Sequence, residues 1–448
     1  MTYDLVVIGG GIAGLCAGLR AAERGLKVMV LEKGTDPRYP CNARWSGGII
    51  HIGYTDPKDA PETLRAAIAR NTDGATDPEL GEILIDHVSP TIDWLRGHGA
   101  RFIRAGLQTW QNWMLAPPRP LVGGIDWAGR GPDVLLRQLG EKLAAQNATL
   151  RLGARAVSLR MEAGRCTGVI LENGETIAAR AVLIADGGFQ SNLDMLRTHI
   201  TPHPEKIKQR GAGTGMGDGL LMALDAGAAV TELDKFYGHL LSRSAMEGND
   251  KVWPYPELDG VAAAGLVVDA AGARIGAAGM GGIALANALA RAADPLGACI
   301  IADAAIWDGP GKAARIPANP QVERGGGTIH RAGTLAELAA KAGIAAAGLA
   351  ATLAGANGMP SLKPPFLAIP VCAGITYTMG GIAIDGHARV RHRDGGTIPG
   401  LYAAGSATGG IEGGPLAGYI GGLSKAATFG FRAAEHAVEY AKQGAAAA

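Results

Sequence analysis

The sequence predicts an α/β fold in which one Rossmann-like domain is assembled from both ends of the chain, with a segment of different texture inserted between them. Three observations carry this. The start of the chain reads strand, glycine turn, helix, strand, a β-α-β unit of the expected length of about 30 residues. Far along the chain, "GLYAAG" (Gly400 to Gly405) ends another buried strand in a second glycine turn. From about Asp234 to Gly358, prolines, polar loops and alanine-rich helices alternate instead. The expected division is 1–233 and 359–448 for the domain built from both ends and 234–358 for the insertion.

The elements follow in order. "YDLVVI" (3–8) reads as a buried strand, and "IAGLCAGLRAAER" (12–24) as a helix that Gly25 is placed to end. "KVMVLEK" is a second buried strand ending at Glu32. From Arg151 to Phe189, short alternating runs read as a β-meander with Asn173-Gly174 as a hairpin turn, closing in the buried strand "AVLIA" and the turn "DGG". In the insertion, "TLAELAAKAGIAAAGLAATLAGANG" is one helical stretch capped by Thr334, with Glu337 three residues on. "PPFLAIPVCAGITYTMGGIAID" returns to strand character, and the final helix starts near Ser424.

Composition narrows the function. At 448 residues the chain is long enough for two or three domains and a large core. Hydrophobic residues make up 47%, yet no run of about 18 apolar residues occurs, so no transmembrane segment is expected. A net charge of +1 without a basic run argues against nucleic acid or an anionic membrane as partner. Tyr3 and Asp4 lead straight into the first strand, so no secretory signal is expected. The cysteines (Cys16, Cys41, Cys166, Cys299, Cys372) are scattered and form no C-x-x-C pair. That argues against a disulfide framework, a zinc site or an iron–sulfur cluster; no metal is expected, and a cytoplasmic location is.

Gly9, Gly11 and Gly14 match G-x-G-x-x-G between strand and helix. The first glycine makes the turn, the second lets backbone N–H groups approach a pyrophosphate, and the third lets helix and strand pack closely. The helix N-terminus adds partial positive charge, and Glu32 stands where an acid accepts from ribose hydroxyls. The motif alone does not choose between NAD and FAD. FAD is favoured because only one such fingerprint exists, because "GLYAAG" can complete the same cradle, and because "NARWSGG" supplies another glycine loop.

At these residues the chain resembles the flavoproteins grouped around fumarate reductase, succinate dehydrogenase and 3-ketosteroid dehydrogenase. The matching pieces are "DLVVIGGGIAGLCAG…VMVLEK", "NARWSGGI" (similar also to tricarballylate dehydrogenases), "AVLIADGGF", "GTGMGDGLLMALDAGA", "GLVVDAAGARI", "TMGGIAID" and "GTIPGLYAAGSATGG…FGFRAAEHA". The resemblance implies a Rossmann-like FAD-binding domain built from both ends of the chain, an inserted α+β capping domain, and an active site between them. It implies that Gly9, Gly11, Ile12, Ala13 and Gly14 meet the pyrophosphate and Glu32 with Lys33 the adenosine ribose. Arg44, Trp45, Ser46, Gly47 and Gly48 would line the ribityl chain and flavin. Ala156, Val157, Asp186, Gly187, Gly188 and Asp218 would sit near the cofactor, and Gly405 with Ser406 would close the pyrophosphate side. Gly421, Gly422, Leu423 and Ser424 would offer N–H groups to the flavin pyrimidine edge, where a helix N-terminus stabilises anionic reduced flavin. Succinate dehydrogenases attach FAD through a histidine before the "GG"; here Cys41 lies near that slot and no histidine does, so the FAD is expected to be non-covalent.

The resemblance also locates the departures. The reductases carry a histidine before "TMGG", where this chain has Tyr377, and an arginine after "TGG", where "IEGGPLAGYIGGLS" has none but includes Tyr419. Losing both removes a dicarboxylate clamp. A phenol suits a ketone: it hydrogen-bonds the carbonyl oxygen or, with a lowered pKa, accepts a proton. Tyr377 and Tyr419 are therefore the candidate catalytic residues, with Tyr54 third; for each the alternative is a packed tyrosine with its hydroxyl satisfied. His51 reads as a structural hydrogen-bonder. Arg44 and Arg119 either hold a carboxylate in the cleft or, as the loop setting favours, stay solvated. Trp110, Trp113 and Trp127, with Trp45, either wall a flat substrate or pin a loop. The expected reaction is α,β-desaturation of a cyclic ketone or keto acid, with hydride passing to flavin N5 and electrons leaving to a quinone, a carrier protein or oxygen. The alternative is a fumarate reductase-like or tricarballylate dehydrogenase-like enzyme acting on a small organic di- or tricarboxylic acid.

Overall fold

The computed structural model describes residues 2–355, 358 and 360–446. Apolar strands that carry no polar alternation have to be covered on both faces, and the first two obey this. Leu5 to Ile8 and Val28 to Leu31 are buried throughout and pair in parallel. Around them a mixed sheet grows in the order Arg389–Arg391, Thr397–Ala403, Thr176–Ile184, Tyr3–Ile8, Val28–Leu31, Thr149–Arg151. The last five of these run parallel. The far end of the chain thus re-enters the sheet beside a strand from the middle, as the split organisation requires.

Helix Ile12–Glu23 packs on the final helix Gly422–Ala446. The two backbones approach so closely that a Cβ on Gly430 would sit 2.3 Å from the Ala13 carbonyl oxygen. Small residues on both helices make this crossing, and an alanine at position 430 would force them apart.

The meander begins at Ala156 rather than Arg151, because Thr149–Arg151 is spent as a parallel edge strand beside Val28–Leu31. Ala156–Glu162, Arg165–Leu171 and Thr176–Ile184 pair antiparallel, with Gly174 turning the hairpin at φ +84°. The alanine-rich stretch is two helices, Leu335–Ala342 and Ala346–Ala354, because Gly343 takes a left-handed conformation (φ +70°) and ends the first. Thr334 caps it by accepting from the Glu337 N–H at 3.2 Å. Residues 356 and 357 of the stretch lie outside the described residues.

A second sheet is built on the long strand Phe366–Thr378. That strand pairs antiparallel with Phe236–Ser242, Cys299–Asp303 and His330–Ala332, and Leu266–Val268 extends the sheet. In the register of the first pair, Tyr237 stands opposite Tyr377. The seam between the two sheets is therefore lined by tyrosines from neighbouring strands, at the carboxyl ends of the parallel strands of the first sheet, where open α/β sheets bind ligands.

Candidate active site

One continuous cavity runs from the first glycine turn to the seam. At its nucleotide end the three motif glycines divide their labour as the motif requires. Gly9 has φ +104° and backs onto Ala185. A Cβ at Gly14 would lie 1.9 Å from the Gly9 carbonyl oxygen, so this glycine serves packing and is absent from the lining. Gly11 lines the cavity, and nothing in the protein lies within 4 Å of where its Cβ would be. That open approach to backbone is what a pyrophosphate needs. Glu32 is buried at the end of the second strand, accepting from Gly10 N–H (2.9 Å) and Gly34 N–H (2.8 Å), and lines the cavity. Lys33 donates to Thr214 O at 2.7 Å, and Asp218 is held by Arg155 at 2.9 Å. Asp186 gives one oxygen to Gly219 N–H (2.7 Å) and keeps the other buried without a partner among the described residues. Burial pushes its carboxyl up to about 6. An orphaned acceptor of this kind, beside the open Gly187, fits hydroxyls of a bound nucleotide. Ile12, Ala13, Gly405 and Ser406 complete this end.

Most of the other predicted cofactor residues also border the cavity: Trp45, Ser46, Gly47, Gly48, Ala156, Gly187, Gly422 and Leu423. Five do not. Arg44 is buried in an ion pair with Asp133, so it is neither solvated nor in the cleft. Val157 points outward at 44% exposure, one residue along an alternating strand from Ala156. Gly188 packs on Thr378, and Gly421 on the His51 carbonyl. Ser424 Oγ donates to His51 O at 2.6 Å and accepts from His51 N at 3.1 Å, pinning the first-domain loop to the final helix. Of the tryptophans, Trp45 and Trp110 line the cavity while Trp113 and Trp127 do not; Trp113 is anchored on Asp56 at 2.7 Å.

At the seam the cavity is walled by Tyr54, Tyr237, Tyr377 and Tyr419. Tyr237 stacks on Tyr419 (4.0 Å) and leans on Tyr377 (5.2 Å). Tyr377 donates to Glu412, 3.0 and 2.9 Å from its two oxygens. That carboxylate is fully buried, paired with Lys425 at 2.8 Å, and also accepts from Ile420 and Gly421 N–H. Burial pushes the Glu412 carboxyl up, but Lys425 and the donors around it outweigh this and hold it below the usual range. Tyr419 accepts from Gly422 N–H at 3.4 Å, and its hydroxyl also hydrogen-bonds that of Tyr237. Burial raises all four phenols: that of Tyr377 further by Glu412, those of Tyr237 and Tyr54 by Tyr419. The cavity therefore keeps these phenols protonated, and no tyrosine here has the lowered pKa that would make it a base by itself. His51, stacked on Tyr54 at 5.0 Å, accepts from Tyr54 N–H, and burial lowers it to about 4, so it is neutral.

His239, Asp259, Arg210 and Arg315, which sequence patterns did not single out, complete the site together with Arg119. His239 Nε2 is 3.0 Å from the Tyr237 hydroxyl, and its Nδ1 is 2.6 Å from Asp259. Carboxylate, imidazole and phenol thus form a chain ending in the cavity. "FYGH" in strand Phe236–Ser242 places Tyr237 and His239 two apart, a spacing that puts both on one face. Asp259 starts a short helix 20 residues after His239 and carried no such signal. Arg210 pairs with Glu257 and donates to Thr376 Oγ1 at 2.9 Å. Arg119 is buried over the Tyr255 ring (4.3 Å) and Arg315 stands near it on the lining.

Known proteins share this fold. Residues 4–418 match the family described as FAD binding domain. Fumarate reductase (cytochrome) of Shewanella frigidimarina is 28% identical, covering 99% of this chain and 78% of that protein. The 4-oxocyclohexanecarboxylate 2-dehydrogenase of Sinomonas cyclohexanicum is 28% identical over 94% of this chain and 89% of that one. In fold, the chain superposes on 3-ketosteroid Δ1-dehydrogenase from Sterolibacterium denitrificans with TM-score 0.72 at 20% identity, covering 98% of this chain and 99% of that one.

Proposed function

The chain belongs to the FAD binding domain family, and from that premise we propose that this FAD-dependent oxidoreductase of CH–CH bonds desaturates a cyclic ketone or keto acid beside its carbonyl. The observation that carries the reading is the Asp259–His239–Tyr237 chain ending among Tyr377 and Tyr419. A ketone oxygen accepts from the Tyr419 hydroxyl, whose own acceptor site is taken by Gly422 N–H. This makes the α-hydrogen acidic. The Tyr237 oxygen takes that proton as its own proton moves to His239 Nε2, and Asp259 stabilises the imidazolium so formed. The electron pair of the broken C–H bond becomes the new C=C bond, and the β-hydrogen leaves as hydride. FAD, when bound, supplies the hydride acceptor. Tyr377 has its proton committed to Glu412 and acts as a wall that positions Tyr237. The electrons taken from the substrate would leave to a quinone, a carrier protein or oxygen. The FAD is held non-covalently. The five free thiols suit a reducing cytoplasm, and no described helix is long and apolar enough to cross a membrane.

The di- or tricarboxylate alternative draws on the arginines of the cavity. It is weakened by Arg210 being taken by Glu257 and by the phenol at position 377. Anaerobic mixing with cyclic ketones and keto acids decides between them. Bleaching of the flavin is expected, slowed about 10²–10⁴-fold in Tyr237→Phe with the flavin still bound. In His239→Ala the residual rate should climb steadily with pH, because Tyr237 then accepts a proton only once ionised and burial holds its pKa high. If only reduced enzyme reacts, and only with fumarate-like acids, the proposal fails.

A further inference from the structure

We propose that Arg119 and Arg315 form a carboxylate-binding subsite at the seam end of the cavity, so that the substrate is an anion, a keto acid, and not a neutral ketone. This rests on the dehydrogenase reading above and narrows it. Buried arginines are normally paired, since an uncompensated charge away from water is costly. The other arginines on the cavity lining obey this: Arg210 is neutralised by Glu257, and Arg155 by Asp218 and Glu172. Arg119 and Arg315 make no ion pair among the described residues.

Arg119 is 9% exposed, and its Nη2 donates only to Gly124 O, at 3.3 Å. Its Nη1 is buried with no partner among the described residues. Arg315 is half-buried; its Nη1 donates to Ala105 O at 2.9 Å, and its buried Nε likewise lacks a partner. Burial, reinforced by the Arg119 charge, holds the Arg315 guanidinium below its usual range, so the two cations strain against each other. Two unneutralised guanidiniums on one cavity wall, each with a buried donor left unpartnered, match a carboxylate in charge and in donor type.

The pair belongs to the reacting end and not to the pyrophosphate end. Arg119 and Arg210 both lie over the Tyr255 ring, at 4.3 and 4.7 Å, and Arg210 bonds Thr376, the neighbour of Tyr377. The glycine turns at Gly9 and Gly405 sit against Ala185 and Ala13 instead. A substrate with its carbonyl on Tyr419 would thus send its carboxylate toward Arg119 and Arg315.

The test compares 4-oxocyclohexanecarboxylate with its carboxamide, which share ring and ketone and differ in charge. Affinity is read in oxidised holoenzyme from the rapid perturbation of the flavin absorption bands, before any bleaching. The acid is expected to bind at least about tenfold more tightly than the amide. In R119Q/R315Q the difference should fall to less than about twofold through weaker acid binding, with the amide unchanged. R119K/R315K, which keeps the charge and relieves any question of folding, should retain part of the preference. Equal affinities in the wild type, discrimination that survives in R119Q/R315Q, or no perturbation by the acid up to about 10 mM would each overturn the subsite. Bleaching by acid and amide at equal affinity sinks the subsite and leaves the dehydrogenase reading standing. Discrimination without bleaching does the reverse.

Discussion

Among single residues, the most heavily committed is Glu412. It holds Tyr377, Lys425 and two backbone N–H groups at once, with no access to water. Removing one partner of such a pair leaves the other charge buried alone. Glu412→Gln is expected to cost about 3–5 kcal/mol in urea unfolding of the holoenzyme, and a second change, Lys425→Met, should restore much of it. The folded-state pKa of Glu412 lies below its unfolded value, so its contribution is complete above about pH 4.3 and is lost as pH falls through the depressed value. Unfolding midpoints measured down through that range should show this loss in the wild type and not in the double variant. Residue identity told part of this in advance. That Tyr377, Tyr419 and Tyr54 border the cavity was legible because each stands where a related sequence has a different chemistry or beside a glycine loop. Glu412 was visible in "IEGGP" but gave no sign of its partner, because Lys425 reaches it only when the final helix folds back. Arg315 is brought to the cavity, and Asp259 to His239 behind its wall, by the tertiary fold alone, and no local period marks them.

At the level of elements, the strand–turn–helix start was readable almost to the residue because propensity, apolar pattern and glycine placement agree there. Disagreements arose where one residue overrides a pattern: Gly343 splits an alanine-rich helix, and three residues before the meander join a parallel edge. The glycine motif gives a sharp contrast at this scale. Gly11→Ala adds a Cβ into open cavity, so the apo protein should unfold at the wild-type midpoint while FAD affinity falls steeply. Gly14→Ala drives a Cβ to within 1.9 Å of a carbonyl oxygen, so thermal unfolding of the apo protein should itself shift down by several degrees. If both variants behaved alike, the division of labour between the two glycines would be wrong. The start of the final helix has two duties of its own. Gly422 presents its N–H to Tyr419 and, lacking a side chain, lets Tyr377 approach.

For the whole molecule, the cavity joins segments from near residue 9, near 186, near 255 and near 422, and no single region of the chain holds it. Cys41 borders the cavity, and burial raises its thiol to about 11, which makes it a poor nucleophile toward the cofactor. Acid precipitation should therefore release all flavin to the supernatant; yellow colour in the pellet would mean a thioether. The close crossing of the first helix on the last, at Ala13 and Gly430, has a consequence for biosynthesis. During translation the cofactor turn is made before the helix that covers it, with most of both sheets between them. While that intervening chain is added, the face of the first helix that meets Gly430 stays uncovered, and sheltering it is a task for the cell's chaperones.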